Sequence, residues 1–316
     1  MMNTLYAVIP CYNEEEVLRE TATLLSHKFE YWISEKIISD KSRIVFVNDG
    51  SKDSTWEIIN KLHCENKLFS GINLSRNKGH QNALFAGLMT IKDKCDFTIS
   101  LDADLQDSLE AMDEMIAKYK AGSDIVYGVR SSRKRDTVFK RTTAKMFYRL
   151  MAKLGVELVY NHADYRLMSS KALDALSKYN EVNLFLRGIV PLLGFPSAIV
   201  EYERSKRFAG KSKYPLRKMI SFAIEGITSF SIQPIRLISG LGLLIFLFSI
   251  GMIIWFLIDY FNGNTVPGWA STVVSIWFVG GLQIFAIGVI GEYIGKVYLE
   301  TKSRPRYIIQ DILHED

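Results

Sequence analysis

Short apolar runs alternate with helix-like patterns from the N-terminus to about position 130. The apolar runs predict strands at residues 6–9, 43–47, 69–74, 97–101 and 125–129. Apolar positions at helical spacing follow the first run at residues 14–25, and further helices are predicted near 79–92 and 108–121. Alternating strands and helices favour βαβ units and a mostly parallel sheet. The expected fold class is α/β and Rossmann-like, with ligands beyond the carboxyl ends of the strands.

Two apolar stretches near the C-terminus are much longer than the short runs of the N-terminal part. Residues 237–258 and 270–291 each comprise 22 residues without a charged side chain. A helix of about 20 residues is long enough to cross the hydrocarbon core of a bilayer. Two transmembrane helices are therefore expected, and a pair of buried core helices is the alternative.

The charges around these stretches predict their orientation. Eight Lys and Arg residues lie between positions 204 and 236, and four lie between 296 and 306. The loop at 259–269 contains neither residue type. The positive-inside rule therefore places this loop outside the cell and both termini in the cytosol.

A segment of mixed character joins the two parts of the chain. Residues 214–235 combine apolar side chains with Arg217, Lys218 and Glu225. This mixture predicts an amphipathic helix on the cytosolic leaflet, or else an ordinary surface helix packed on the globular domain. The expected division is a cytosolic α/β domain at 1–213, the amphipathic segment at 214–235, two membrane helices at 236–295 and a cytosolic tail at 296–316.

Composition excludes several classes of protein. The 316 residues are 48% hydrophobic and 23% charged, which excludes disorder as the dominant state. The net charge of +5 is too small to indicate a nucleic-acid partner. Cys11, Cys64 and Cys95 lie far apart, so neither a zinc site nor a disulfide framework is indicated. The first residues lack the basic and apolar regions of a signal peptide, and none is expected.

The strongest chemical signal is a pair of carboxylates after the fourth predicted strand. Asp102 and Asp104 stand two residues apart, with Gln106 close behind. Hard cations such as Mg²⁺ or Mn²⁺ take one or two carboxylates together with substrate phosphates. Such a motif also arises by chance, so an isolated pair would be read as a solvated turn. The turns after the other predicted strands distinguish a metal site from a solvated turn.

Three other predicted strands end in polar turns, at residues 8–15, 47–51 and 74–80. With Asp102 and Asp104 these segments resemble the family 2 glycosyltransferases of the GT-A fold, and the resemblance covers the whole chain. Segments 164–166, 207–214 and 291–296 make the resemblance narrower. With them the chain is similar to the bactoprenol-phosphate glucosyltransferases, relatives of dolichol-phosphate mannose synthase.

The resemblance implies an inverting, metal-dependent enzyme of the bacterial cytoplasmic membrane. It would move a single sugar onto undecaprenyl phosphate at the cytosolic face, with UDP-glucose as the expected donor. UDP-N-acetylglucosamine and GDP-mannose remain open as donors. The lipid-linked product would serve a surface polysaccharide such as O-antigen or teichoic acid. A flippase and an outer-face glycosyltransferase are therefore implied partners.

The resemblance also implies roles for individual residues. The nucleoside pocket would be lined by Pro10, Tyr12, Glu14, Val47 and Asp49. Asp49 would accept a hydrogen bond from the base, although the family usually has a second acid where this chain has Asn48. The metal and diphosphate would be surrounded by Asp102, Asp104 and Gln106, with backbone from Ala103. The remaining phosphate contacts would come from Arg130, Arg207 and Lys213.

Asp164 is the third expected catalytic residue beside Asp102 and Asp104. Enzymes similar to this chain need the residue at this position for transfer. A general base normally assists an inverting displacement. A lipid phosphate monoester, however, is largely dianionic at neutral pH, because its second pKa is about 6. Asp164 is therefore expected to orient the acceptor or sugar, or to take a residual proton, rather than to act as a strong base.

Other features of the chain leave alternatives open. The basic run at 130–149 suits either a solvated face or a surface that attracts anionic lipid. His80 is expected to be a polar site or surface residue rather than a metal ligand. Similar enzymes form tetramers, and the tail at 304–310 could pair as a strand with a neighbouring subunit.

Two other functions compete with this interpretation. Processive polysaccharide synthases carry a Gln-x-x-Arg-Trp motif, which Gln233, Arg236 and Leu237 match except for the Trp. A non-catalytic membrane scaffold with a degenerate nucleotide site is the other alternative. The presence of all three aspartates argues against the scaffold.

Overall fold

The computed structural model describes residues 2–104, 106–131, 162–181, 184–203 and 269–314, with isolated positions between 235 and 262. Its strands are β1 (Leu5–Cys11), β2 (Arg43–Asn48), β3 (Phe69–Leu74), β4 (Phe97–Ser100), β5 (Ile125–Arg130), β6 (His162–Ser169), β7 (Ser197–Tyr202) and β8 (Ile309–Leu313). Its helices are α1 (Leu18–Ser34), α2 (Thr55–Glu65), α3 (His80–Ile91), α4 (Ala111–Lys120), α5 (Ser170–Ser177), α6 (Leu186–Leu192) and α7 (Trp269–Thr301).

One eight-stranded sheet organises these elements, in the order β7-β5-β6-β4-β1-β2-β3-β8. The pairs among β1, β2, β3 and β4 are parallel, and so is the pair of β5 with β7. β6 is antiparallel to both β4 and β5, and β8 is antiparallel to β3. The α/β class is confirmed, but the sheet is more mixed than predicted because β6 and β8 run against their neighbours.

The apolar positions fill two cores, one on each face of the sheet. One core includes the buried Phe29 and Trp32 of α1 together with Phe46 and Phe97. The other forms around the apolar side of α3 and is joined by α5 and α6. β1 is buried along its whole length, as expected for a central parallel strand covered on both faces. The sheet is therefore rigid where its strand ends carry the candidate site.

The five strands predicted between the N-terminus and position 130 are confirmed, with boundaries that differ only slightly from the expected ones. Helix α1 begins at Leu18 rather than at residue 14, because the residues before it bind the next turn. Glu14 N–H donates to Thr55 Oγ1 at 3.0 Å, and Glu15 N–H donates to Asp53 Oδ2 at 3.3 Å. These bonds hold residues 14 and 15 in a turn that faces α2.

The second predicted membrane segment lies within the long helix α7. Within the described part of the chain, one stretch, Phe278–Thr301, is long and apolar enough to cross a bilayer. Large apolar side chains such as Ile284 and Phe285 are exposed along it. The first predicted segment, residues 237–258, and the amphipathic segment, 214–235, lie mostly or wholly outside the described residues.

The C-terminal tail returns to the sheet of its own chain. β8 pairs with the edge of β3, and Asn73 Nδ2 donates to Asp311 Oδ2 at 2.9 Å. Arg306 lies over the ring of Phe85 at 4.5 Å and donates to the carbonyl of Tyr179. The sequence left open a strand pairing of residues 304–310 with a neighbouring subunit, and that stays a prediction. In this structure residues 309–313 pair with β3 of the same chain.

Candidate active site

The turns after β1 and β2 form one side of the candidate site and are bonded to each other. Asn13 adopts a left-handed conformation, with φ of 53°. Its N–H donates to Ser51 Oγ at 3.0 Å, and its Oδ1 accepts from Lys52 N–H at 2.9 Å. Gly50, with φ of +62°, lies so close to the loop after β3 that an added Cβ would be 2.6 Å from Arg76 C and Asn77 N. Three strand ends are thereby packed together.

Asp49 is buried in the centre of these turns. Its carboxylate accepts the N–H of Lys78 at 2.7 Å and the N–H of Gly79 at 2.9 Å. Burial raises the pKa of Asp49, although these two hydrogen bonds and His80 oppose the increase. In this structure Asp49 fixes the loop that leads into α3, and its expected contact with a nucleotide base remains a prediction.

Asn48 has a structural role that explains why the turn has one acid rather than two. Asn48 Nδ2 donates to Asn73 Oδ1 at 2.8 Å, and its Oδ1 accepts from Ser51 N–H at 3.2 Å. A carboxylate in this place could not donate to Asn73. Because Asn73 in turn donates to Asp311 of β8, the site turn is linked by hydrogen bonds to the C-terminal tail.

The two carboxylates expected to hold a metal follow β4 directly. Asp104 is buried, whereas the side chain of Asp102 is 34% exposed. The loop is attached to α1, because Thr21 Oγ1 donates to the carbonyl of Ala103 at 2.7 Å. Within the loop, Gln106 N–H donates to Asp104 Oδ1 at 3.3 Å. Hydrogen bonds therefore fix the described residues of this segment to α1 and to one another.

The antiparallel direction of β6 brings Asp164 to the same place. Arg166 is opposite Ser100 in the β4–β6 register, so the start of β6 lies beside the end of β4. Ser100 Oγ donates to the backbone carbonyl of Asp164 at 2.6 Å. If β6 ran parallel to β4, Asp164 would lie at the opposite ends of the strands, away from Asp102.

Two arginines bind the Asp164 carboxylate. Arg166 Nη2 donates to Oδ1 at 2.8 Å, and Arg187 donates from Nε to Oδ1 at 3.2 Å and from Nη2 to Oδ2 at 3.0 Å. Burial raises the pKa of Asp164, but Arg187, Arg166 and His80 outweigh burial and hold the pKa well below its usual range. Asp164 is an ionised carboxylate and a weak base in this arrangement.

His80 lies between the two groups of acids. Its Nε2 is 3.6 Å from Asp102 Oδ1 and 3.7 Å from Asp164 Oδ2. His80 is the first residue of α3, directly after the loop that Asp49 fixes. The imidazole of His80 therefore links three features: the motif that contains Asp102, the Asp164 carboxylate, and the loop that Asp49 fixes.

Arg130 is oriented by a pair of residues outside the predicted set. Its Nε donates to the hydroxyl of Tyr202 at 3.4 Å, and its Nη2 is 3.8 Å from Asp107 Oδ1. Tyr202 itself donates a short hydrogen bond to Asp107. Arg130 ends β5 and Tyr202 ends the neighbouring parallel strand β7. The guanidinium is thus held at the carboxyl edge of the sheet.

The remaining predicted residues differ in burial, and two of them lie outside the described part of the chain. Pro10 and Val47 are buried strand residues, Glu14 is half-buried and Tyr12 is exposed beside the turns. Arg207 and Lys213 lie outside the described residues, as does most of the basic run at 130–149.

Four residues at the site were not predicted as site residues: Asp107, Arg166, Arg187 and Tyr202. Arg166 belongs to the segment 164–166, where its spacing of two from Asp164 was a usable signal. Arg187 and Asp107 carry no local signal, since their positions depend on how α6 and β7 pack.

The donor atoms around Asp102 fit a hard divalent cation. In the described part of the chain, no group of three or more His, Cys, Asp or Glu side chains is placed to hold a metal alone. A Mg²⁺ or Mn²⁺ that also binds substrate phosphates needs only one or two carboxylates from the protein. Asp102 and Asp104, with the amide oxygen of Gln106, meet that requirement.

Comparison with known proteins places most of the chain in two sequence families. The family described as "Glycosyl transferase family 2" matches residues 6–177, and "GtrB C-terminal hairpin" matches residues 233–297. The uncharacterised glycosyltransferase YkoT of Bacillus subtilis is 53% identical over 98% of this chain and 92% of its own length. The bactoprenol glucosyl transferase of Shigella phage SfX is 42% identical over 96% of this chain and 97% of its own.

The similarity to solved structures is weaker. Glucosyl-3-phosphoglycerate synthase from Mycobacterium tuberculosis is 14% identical, with a TM-score of 0.47 over 72% of this chain and 76% of that one.

Proposed function

We propose that this chain, which belongs to glycosyl transferase family 2, transfers one sugar from a nucleotide donor to a polyprenyl phosphate. The observation that carries the proposal is that Asp102 and Asp164 both contact Nε2 of His80, at 3.6 and 3.7 Å. Relatives that cover nearly the full chain are named bactoprenol glucosyl transferases, which supports a polyprenyl phosphate as the acceptor.

The donor nucleotide would lie over the turns after β1 and β2. Pro10, Tyr12, Glu14, Val47 and Asp49 are proposed for the nucleoside, with Asp49 accepting from the base. Arg130 would bind phosphate, and Arg207 and Lys213 are proposed for the same purpose. Exposed Tyr12 offers a flat apolar surface at this place, which suits a nucleoside ring.

The diphosphate would extend towards the loop after β4. Asp102, Asp104 and Gln106 are proposed to hold Mg²⁺ or Mn²⁺ there, and Ala103 would contribute backbone. The cation, when bound, neutralises the negative charge that develops on the leaving diphosphate. The side chain of Asp102 is 34% exposed and so is accessible to a ligand.

The reaction needs little proton transfer. An acceptor phosphate monoester is largely dianionic at neutral pH. One of its oxygens would attack the anomeric carbon as the bond to the nucleoside diphosphate breaks, so the configuration inverts. Asp164 is the third proposed catalytic residue, and its low pKa makes it better suited to electrostatic positioning than to accepting a proton.

Glucose from UDP-glucose is the proposed donor sugar. The names of the relatives support glucose. UDP-N-acetylglucosamine and GDP-mannose are the alternatives, because no described side chain distinguishes the sugars.

The reaction is proposed for the cytosolic face of a bacterial cytoplasmic membrane. In this arrangement residues 1–213 form the catalytic domain, 214–235 lie on the leaflet, 236–295 form two membrane helices and 296–316 return to the cytosol. The exposed apolar surface of α7 supports a position in the bilayer. The product would be consumed on the other side, which requires a flippase and a second transferase. A homotetramer is a further proposal.

A donor panel tests the proposal. Full-length protein in detergent is given undecaprenyl phosphate, Mg²⁺ or Mn²⁺, and radiolabelled UDP-glucose, UDP-N-acetylglucosamine or GDP-mannose. The expected result is label in one lipid band from UDP-glucose. Label in a long polymer would indicate a processive synthase, and nucleotide-sugar binding without transfer from any donor would favour the scaffold.

A further inference from the structure

Arg187, at the start of α6, forms a bidentate ion pair with Asp164. Nε and Nη2 of one guanidinium donate to the two oxygens of one carboxylate, at 3.2 and 3.0 Å. This fork geometry fixes both the position and the plane of a guanidinium. The Arg187 side chain remains 33% exposed, so it is partly accessible to a ligand.

The arginines at this place outnumber the carboxylate that they share. Arg166, whose side chain is only 2% exposed, also donates to Asp164 Oδ1. Two guanidinium groups thus contact one carboxylate. Oriented guanidinium groups in a partly buried site favour the binding of an anion.

The position of Arg187 identifies which anion of the reaction it meets. Asp102 belongs to the motif proposed for the metal and the donor diphosphate. Its Oδ1 and Oδ2 of Asp164 contact the same nitrogen, Nε2 of His80, at 3.6 and 3.7 Å, and Arg187 binds Asp164. In an inverting displacement the acceptor oxygen approaches the anomeric carbon from the face opposite the leaving diphosphate, so the acceptor anion and the diphosphate occupy separate places. Arg187 neighbours the motif proposed for the diphosphate but is not part of it, so an anion beside Arg187 is interpreted as the acceptor.

We propose that Arg187 binds the phosphate monoester of the lipid acceptor, and that Asp164 acts as a positioning residue that holds Arg187 in place. This inference rests on the proposed function. The attacking phosphate oxygen forms its bond to the anomeric carbon, and the electron pair of the broken bond leaves with the nucleoside diphosphate. Asp164 takes no proton in this step, because the dianionic acceptor has none to lose.

Separate kinetic constants for the two substrates test the role of Arg187. Hydrogen bonds to charged groups are typically worth about ten- to a hundredfold in binding. Arg187→Gln should raise KM for undecaprenyl phosphate at least about tenfold, while donor affinity measured by calorimetry changes less than about twofold. Arg187→Lys keeps the charge but loses the fork, so an intermediate increase is expected. Arg19→Gln, an exposed arginine of α1, is the matched control and should change neither constant.

If Arg187→Gln does not fold, the acceptor KM of Arg187→Lys tests the proposal in its place. An unchanged acceptor KM in a folded variant would overturn the proposal. So would a loss of donor affinity with the acceptor KM unchanged, because Arg187 would then belong to the donor side.

A double-mutant cycle tests whether Asp164 acts through Arg187. If it does, Asp164→Asn raises the acceptor KM in the wild-type background but adds less than about twofold to Arg187→Gln. If the increases in acceptor KM caused by the two substitutions multiply in the double variant, Asp164 acts independently of Arg187. That result would overturn its positioning role.

The wild-type protein in the same assay separates this inference from the function on which it depends. Transfer by wild type with an unchanged KM in both Arg187 variants refutes the inference alone. If wild type transfers no sugar to undecaprenyl phosphate from any donor, the proposed function fails and this inference fails with it.

Discussion

Ser100 donates a hydrogen bond of 2.6 Å from its hydroxyl to the backbone carbonyl of Asp164. This contact adds to the pairing of β4, which leads to Asp102 and Asp104, with the antiparallel β6, which carries Asp164. The two groups of acids, which are far apart in the chain, are thereby held at one strand end. The geometry of the site is a property of the β4–β6 pairing rather than of a flexible loop.

The bond from Thr21 to the metal-site loop should be measurable. Thr21→Val removes the donor to the Ala103 carbonyl, and an unsatisfied buried acceptor costs about 1–3 kcal/mol. We expect a lower melting temperature in detergent and weaker nucleotide-sugar binding. Thr23→Val on the same helix is the control, since Thr23 is exposed and its Oγ1 donates to the Arg19 carbonyl of its own helix. Equal effects of the two variants would contradict this role for Thr21.

Gly50 should tolerate a side chain much less well than another glycine of positive φ. Alanine at Gly122, with φ of +104° and open space around it, should cost about 1–2 kcal/mol of backbone strain. Gly50→Ala adds a contact with the backbone of Arg76 and Asn77, and overpacking costs about 1–3 kcal/mol more. Thermal unfolding of both variants measures the difference. Matching melting temperatures would show that the two loops are not tightly packed.

Asn48 should not be replaceable by the acid that the family usually has. Asn48→Asp places a carboxylate oxygen against Asn73 Oδ1 in a buried network, where both atoms are acceptors. We expect a loss of stability of about 1–3 kcal/mol, which thermal unfolding would detect. Asn66→Asp, at the end of α2, is a less buried comparison. A stability equal to wild type would mean that Asn73 can reverse its amide and that the network is adaptable.

Asp164 should stabilise the fold down to unusually acidic pH. Its pKa is lower in the folded than in the unfolded protein, so its contribution is fully present above the unfolded value of about 4. The contribution is lost as pH falls below that value towards the folded pKa. The melting-temperature difference between wild type and Asp164→Asn should therefore persist from pH 7 to about 4 and shrink below it. A difference that disappeared near pH 6 would contradict the assigned pKa.

Much of the structure as far as β5 follows from local pattern. β1 to β5 were predicted because each is a short apolar run that ends in a polar turn, and Asp49, Asp102 and Asp104 were placed by those turns. The membership in family 2 was also predicted, from motifs that combine several turns, and is confirmed.

The second half of the site depends on long-range pairing that a local pattern does not record. The antiparallel β6 brings Asp164 to Ser100, and α6 brings Arg187 to Asp164. His80 was expected to be a polar site or surface residue, but its two partners, Asp102 and Asp164, are distant from it in the chain and were not predicted. The pairing of β8 with the edge of β3 in its own chain also joins residues that are distant in the sequence.

The most direct measurement is the mass of the lipid product. Purified full-length protein is incubated with undecaprenyl phosphate, UDP-glucose and Mn²⁺, and the lipids are analysed by mass spectrometry beside an Asp102→Asn control. Our account predicts a single new species that carries one hexose, and its loss by at least about a hundredfold in the control. Lipids bearing several sugars, no glycolipid at all, or undiminished product from Asp102→Asn would contradict it.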